Sequence, residues 1–366
     1  MNRIAKRMER IDASGIRKVF ALAAKLESPI NLSIGQPDFD VDDAVKEAGI
    51  AKIREGFNKY TQTWGIEELR SEASAYYERR FGVGLDNVMV TSGVSGALFL
   101  ALLATVDPGD EVLFADPYFV MYKHLVGLLG GTSVMVDTYP DFKLQASAVE
   151  AAITERSKVL IVNSPSNPTG VTLNRDELAA LADVAKRHGL LVISDEIYEQ
   201  FYYDDKPASM AGMLDDLIVL NGFSKMAAMT GWRVGFAAGP EDLIQQMNTL
   251  QQYTFVCAPS FAQYAAVEAL RIDPSDKIAA YKRKRDMIYE GLENAGFAVT
   301  KPGGAFYIFP QAPGGDGDGF VAKAIENSVL VIPGSVFSEQ NSHFRISFAA
   351  DEETIAKGVE VLGSLA

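Results

Sequence analysis

Between about residue 87 and residue 238, short β-rich apolar runs alternate with helix-period segments. The runs are NVMVTSG, EVLFADP, TSVMVDT, KVLIVNSP, LLVISDE, LIVLNGFS and VGFAAG. Continuously apolar strands separated by helices bury both faces inside a mostly parallel sheet covered by helices on each side. The expected fold class is therefore α/β, with a mostly parallel seven-stranded sheet and helices on both faces. NRDELAALADVAKRHG is the clearest helix: Asn174 can cap it, Glu177 is the reciprocal partner three residues on, and Gly189 stops it.

After about residue 273 the pattern changes to a long basic helix, then GGAFYIFP, HFRISFA and a final helix, which reads as a smaller α+β domain. The first 40 or so residues show no strand pattern and are expected to pack on that small domain. The predicted division is a large domain over 46–272 and a small one built from 1–45 and 273–366. A chain of 366 residues with 48% hydrophobic content is long enough for this arrangement. APGGDGDG, at 312–319, reads as a loop.

Charge and composition exclude several classes. Thirty-four basic against 48 acidic residues leave a net charge of −14, with no basic stripe for nucleic acid. KRKRD at 282–286 reads as the solvated face of a helix. MNRIAKRMERIDASGIRKVF is too charged for a signal peptide and reads as an amphipathic helix with a polar break near Ser14 and Gly15. No apolar run reaches the roughly 18 residues that span a bilayer, so no membrane partner is expected. Cys257 is the only cysteine, which rules out an intramolecular disulfide and fits the cytoplasm. His124, His188 and His343 are scattered without metal-ligand spacing, so no metal is expected.

In open α/β sheets ligands bind beyond the carboxyl ends of the strands. LLVISDEIY delivers Asp195 and Tyr198 there, and LIVLNGFSK delivers Lys225. NVMVTSGVSGAL delivers Gly93, Val94 and Ser95 at a helix start, KVLIVNSPSNPTG delivers Asn167, and EVLFADPYF delivers Phe119. These parts are what pyridoxal phosphate needs. Its aldehyde requires a lysine amine for a Schiff base, its ring nitrogen a carboxylate, and its ring hydroxyl hydrogen-bond donors. Its phosphate requires a helix N-terminus and a fixed cation, and the planar fork of Arg233 suits the latter.

SKMAAMTGWRVGF is similar to the lysine signature of the class I/II (fold type I) aminotransferases. IGQPDF, KYTQTWGIEELR, SPSNPTG, SDEIY, KPGGAFYIFP and FRISFA resemble the family's other landmarks in the same order, over nearly the whole chain. The resemblance, closest to aspartate and aromatic aminotransferases, implies roles by position. Lys225 would hold the cofactor and move the substrate's Cα proton, Asp195 would pair with the ring nitrogen, and Tyr198 and Asn167 would bond the ring oxygen. Phe119 would stack on the ring. Gly93, Val94, Ser95 and Arg233 would hold the phosphate, joined by Tyr60 of the partner subunit in a homodimer. Arg345 would bind the substrate carboxylate, with Asn167 and the backbone of Gly35 beside it. Cis bonds are implied before Pro117 and Pro168.

Three positions depart from the family pattern. Gly222 replaces a serine three residues before the lysine, Phe119 replaces a tryptophan, and Ser95 and Gly96 replace a lysine or glutamine. Each change trims a cofactor contact. The implied reaction moves an amino group from an L-α-amino acid to a 2-oxo acid, expected to be 2-oxoglutarate. Two alternatives share the cofactor. One is a carbon–sulfur β-lyase or other eliminase. The other is a non-catalytic effector domain, whose N-terminal winged helix has no room ahead of the first landmark. Ile16, Phe20, Ile34, Phe39 and Phe306 are candidates for an apolar pocket wall favouring aromatic or aliphatic donors.

Overall fold

The computed structural model describes residues 3–11 and 28–366. In chain order its strands are β1 (Ile30–Asn31), β2 (Met89–Thr91), β3 (Glu111–Asp116), β4 (Thr132–Asp137), β5 (Ser157–Asn163) and β6 (Leu191–Asp195). They continue as β7 (Leu217–Gly222), β8 (Gly235–Ala238), β9 (Tyr307–Ile308), β10 (Val329–Leu330), β11 (Ile332–Pro333) and β12 (Phe344–Ser347). The seven apolar runs form one sheet in the order β2-β8-β7-β6-β5-β3-β4. Every pair is parallel except those of β8, which runs against β2 and β7.

The pleat explains why these runs are apolar throughout. Val112, Ile161, Ile193 and Ile218 face a core shared with helices Gly93–Thr105 and Glu241–Thr254. Leu113, Leu160, Val162, Val192 and Val219 face the opposite core, beneath helices Glu67–Phe81, Arg175–His188 and Ser260–Ala269. Each face therefore demands its own set of side chains. Helix Arg175–His188 carries the expected capping box: Asn174 accepts from the backbone N–H of Asp176 and Glu177, and Glu177 accepts from Asn174 N at 2.7 Å. Such a cap contributes about 1 kcal/mol.

A third core joins Leu32, Ile288, Leu292, Phe306, Ile308, Val329, Ile346 and Leu362. Around it lie the parallel pair β1-β10 and the antiparallel sheet β11-β12-β9. The early segment thus does contain a strand, but its two residues are too short to show a period in the sequence. Leu32 extends the connection, donating to Leu330 O at 3.0 Å and accepting from Ser347 N at 2.7 Å.

Three local expectations change. The glycine-rich stretch at 312–319 is only partly loop, because the Asp316 side chain accepts from Gly319 N and starts helix Gly317–Glu326. The basic run is only partly a solvated face, since Arg283 is exposed but Arg285 is not. Arg285 is 1% exposed, bonds Pro302 O at 2.7 Å and pairs with Asp204 at 2.8 Å, while Lys284 pairs with Asp38. Carboxylates remote in sequence arrive to compensate these charges, which periodicity cannot foresee. Near the N-terminus, Lys6–Arg10 forms a short 3₁₀ helix. Ser14, Gly15, Ile16 and Phe20 lie outside the described residues. No helix among the described residues is long and apolar enough to cross a membrane.

Candidate active site

The strand ends bring most of the expected side chains into one cavity of about 370 Å³. β6 ends at Asp195 and its following turn presents Tyr198; β7 ends at Gly222 and presents Lys225. Asn163, the last residue of β5, lines the cavity together with Asn167, and Phe119 enters after β3. Val94 and Ser95 line it from the start of helix Gly93–Thr105. From the other sheets come Arg345 on β12 and Tyr307 on β9, and the segment after β1 adds Ile34 and Gly35. The Asp116–Pro117 and Asn167–Pro168 bonds are cis, as are those before Pro140 and Pro165.

Tyr60 stands apart. It is 82% exposed and does not line this cavity. Of the apolar wall candidates that lie among the described residues, Ile34, Phe39 and Phe306, only Ile34 lines the cavity. Phe39 packs edge-on against Tyr281 with Lys277 over its ring, and Phe306 is fully buried beneath the site. The apolar lining comes instead from Ile34, Val94, Leu98, Phe119, Met121 and Ile197.

Lys225 donates to the carbonyl oxygen of Gly35, and its Nζ lies 5.8 Å from the ring centres of both Tyr198 and Phe306. Burial, together with the positive charges of Arg345 and Arg233, pulls its amine down to about 8. A much larger share of neutral, nucleophilic amine therefore exists near neutral pH than for a free lysine. Gly35 has no room for a side chain, since a Cβ there would lie 2.7 Å from the Tyr307 hydroxyl.

Asp195 is 4% exposed, and burial raises its carboxyl above the usual range. Its Oδ2 accepts from the Tyr122 hydroxyl at 2.7 Å. The residues alternating with Asp195 and Tyr198 serve the other side of the turn. Glu196 accepts from Ser194, Ser209 and Tyr77 hydroxyls and from Met210 N, while Glu199 pairs with Arg80 and accepts from Tyr76. These bonds anchor the turn to helix Glu67–Phe81. Burial still pushes Glu196 up to about 7, because no cation faces it directly.

Arg345 is 2% exposed. It donates to Asn167 Oδ1 at 3.0 Å and Ser33 O at 2.9 Å. Its guanidinium lies 4.5 Å from the Tyr307 ring centre and 4.6 Å from that of Phe337. Its Nε has no hydrogen-bond partner, and burial lowers its pKa. Among the described residues no carboxylate pairs with it. A buried cation left in this condition is a receptor for an anion.

A second anion site forms at the helix start. No side chain caps helix Gly93–Thr105, so its first N–H groups keep their positive field. Arg233, in a left-handed conformation and bonded to Thr230 O at 3.0 Å, stands beside it. Gly93 has φ +70, and a Cβ there would meet Arg233 Nη2 at 2.7 Å. The cavity therefore offers a phosphate cradle, a carboxylate for a cationic ring nitrogen, a reactive amine and a carboxylate-binding arginine. These groups fit a phosphorylated pyridine aldehyde together with an α-amino acid. Among the described residues no group of three or more His, Cys, Asp or Glu could hold a metal ion.

Sequence reasoning passed over Tyr122, Tyr307 and Ser224. Tyr307 sits in the quoted string GGAFYIFP, and its hydroxyl meets that of Tyr198 at 2.8 Å. Ser224 lines the cavity directly before Lys225, two residues beyond Gly222. Tyr122 carried no signal beyond its place three residues after Phe119.

A model of the family described as aminotransferase class I and II matches residues 27–362. The chain is 38% identical to an aspartate aminotransferase of Pyrococcus abyssi, over 98% of this chain and 96% of that protein. It is 37% identical to aromatic-amino-acid aminotransferase 2 of Thermococcus litoralis, with the same coverage. Among solved structures, an aspartate aminotransferase from Thermus thermophilus with maleate superimposes with a TM-score of 0.96 at 34% identity, over 100% of both chains.

Proposed function

The chain belongs to the class I and II aminotransferases, and from that membership we propose that it works on pyridoxal 5′-phosphate held by Lys225, passing the amino group of an L-α-amino acid to a 2-oxo acid, 2-oxoglutarate in the favoured case. The observation that carries this reading is Lys225 itself: an amine drawn down to about 8, between the carboxylate of Asp195 and the unpaired guanidinium of Arg345.

When bound, pyridoxal phosphate supplies an aldehyde that captures amines and a ring that withdraws electrons from the substrate's Cα–H bond. The protein's side chains do the rest. Lys225 would accept the Cα proton and return it to the cofactor's aldehyde carbon, which lies across the amino nitrogen from Cα. Arg345 grips the α-carboxylate and so fixes which Cα bond faces Lys225. Asp195 keeps negative charge beside the ring nitrogen. Tyr198 and Asn167 would donate to the ring oxygen, and Phe119 would cover one ring face. The start of helix Gly93–Thr105 and Arg233 would hold the phosphate.

Tyr60, so exposed on its own chain, is assigned to the neighbouring site: Tyr60 of the partner subunit completes the phosphate cradle in a homodimer. We place the enzyme in the cytoplasm and treat 46–272 as the large cofactor-binding domain and 1–45 with 273–366 as the small domain. The apolar lining of Ile34, Leu98, Met121 and Ile197 favours donors with aromatic or aliphatic side chains.

A panel of single amino acids, each scored for bleaching of the cofactor's visible band, tests the donor. Tyrosine and leucine are expected to bleach it readily. Aspartate and glutamate reacting first, with tyrosine and leucine inert, would overturn the apolar preference. Pyruvate released from cystathionine in place of amino transfer would replace transamination by elimination.

A further inference from the structure

Burial pushes the Asp195 carboxyl up, towards its neutral form, and a neutral acid holds a cationic ring nitrogen poorly. Within the protein, one strong donor opposes this. The Tyr122 hydroxyl reaches Asp195 Oδ2 at 2.7 Å, whereas Oδ1 receives only the Ile197 N–H at 3.4 Å. Tyr122 is 2% exposed and belongs to helix Met121–Leu129. It does not line the main cavity; it borders a narrow apolar space behind Phe119 and Asn163. Its ring meets Phe119 edge-on at 5.6 Å and Phe114 at 5.9 Å. One buried side chain thus braces both the aromatic expected on the ring face and the carboxylate expected at the ring nitrogen.

We propose that Tyr122 is a positioning residue that holds Asp195 ionised and in a single orientation for the ring nitrogen of the cofactor. The proposal rests on the reading of Asp195 given above. The geometry suits a fixed donor. Burial and the Asp195 charge push the Tyr122 hydroxyl well above its ordinary value, so it keeps its proton at every working pH. The bond lowers the Asp195 carboxyl against the upward push of burial. It also occupies one carboxylate oxygen from the side away from the cavity, leaving Oδ1 for the ring.

The test uses the full-length protein reconstituted with pyridoxal phosphate, comparing wild type, Tyr122→Phe and Tyr118→Phe. Phenylalanine keeps the ring packing and removes only the hydroxyl. Tyr118→Phe is the control, since its hydroxyl meets Glu339 at 3.3 Å rather than Asp195. Two readouts are taken: cofactor retention, and the pH midpoint of the visible band. Both are repeated with an analogue whose ring nitrogen is replaced by carbon. Tyr122→Phe is expected to retain pyridoxal phosphate about tenfold less tightly, as for the loss of one hydrogen bond to a charged group, and to shift the midpoint. With the carbon analogue it should match wild type, and Tyr118→Phe should match wild type with both. Unchanged retention and midpoint would overturn the proposal, and so would equal losses with both cofactors, which would mark a packing role. Wild-type protein that develops no visible band with pyridoxal phosphate would overturn the reading beneath it.

Discussion

Replacing Lys225 by alanine is expected to abolish the visible band of lysine-bound cofactor and to cut turnover by at least about 10³-fold, the range for removing a group that both captures substrate and moves its proton. The amine's environment explains the size of the effect. With a pKa of about 8, set first by burial and then by Arg345 and Arg233, roughly a tenth of the amine is neutral at pH 7. An ordinary lysine would hold several hundred times less in that form. The sign follows directly. The depressed pKa means that the reactive form accumulates as pH rises, so cofactor-free protein should capture pyridoxal phosphate faster from pH 6 to 8 and level off above about pH 9. Stopped-flow absorbance reads this rate. A rate that is flat over that span, or one that climbs only towards pH 10, would contradict the assignment. So would a Lys225→Ala variant with full turnover.

Arg345→Ala is expected to lower kcat/KM for amino acids by about 10² to 10³, as for the loss of two charge-assisted hydrogen bonds to the α-carboxylate. The visible band should persist, because Arg345 contacts Asn167, Ser33 and two rings rather than the phosphate cradle. Thermal stability of the ligand-free protein should hardly fall. Arg345 is buried without a carboxylate partner, and removing an uncompensated buried cation relieves desolvation as much as it sacrifices contacts. Arg345→Lys should rescue little, since an ammonium cannot reproduce the planar fork. Absorbance, steady-state kinetics and a melting curve on one preparation separate these outcomes. A variant that loses cofactor yet keeps its substrate affinity would remove Arg345 from the role.

The sheet was legible because its runs are buried on both faces, and each strand end could be inspected for the group it delivers. Asp195 and Tyr198 were visible in this way, spaced three apart after an apolar strand. Glu196 and Glu199 have the same spacing in the same string, yet their partners Tyr77, Tyr76 and Arg80 come from a helix more than a hundred residues earlier. Nothing local announces such bonds. Arg285 was misread for the same reason: a basic run looks solvated until Asp204 and Pro302 O close on it. Tyr122 was hidden by chemistry rather than distance, since an aromatic next to a strand is by default packing, and only the hydroxyl's aim at Asp195 distinguishes it. The small strand β1 escaped because two residues carry no period.

The contacts made by the segment that follows β1 have a kinetic meaning. Arg345 bonds Ser33 across 312 residues of chain, Tyr281 bonds Asp38 across 243, and Lys225 bonds Gly35 across 190. Most of the large sheet, by contrast, pairs strands that lie close in sequence, such as β3 with β4 and β5 with β6; its edge strand β2, which pairs with β8, is the exception. Closing long loops costs entropy before any contact returns it, so such pairings come late in folding. The carboxylate-binding wall is therefore completed only when the segment around Ser33 has met Arg345 over a largely formed sheet. During refolding, secondary structure should return ahead of substrate binding, and regained catalysis marks the end of assembly rather than its beginning.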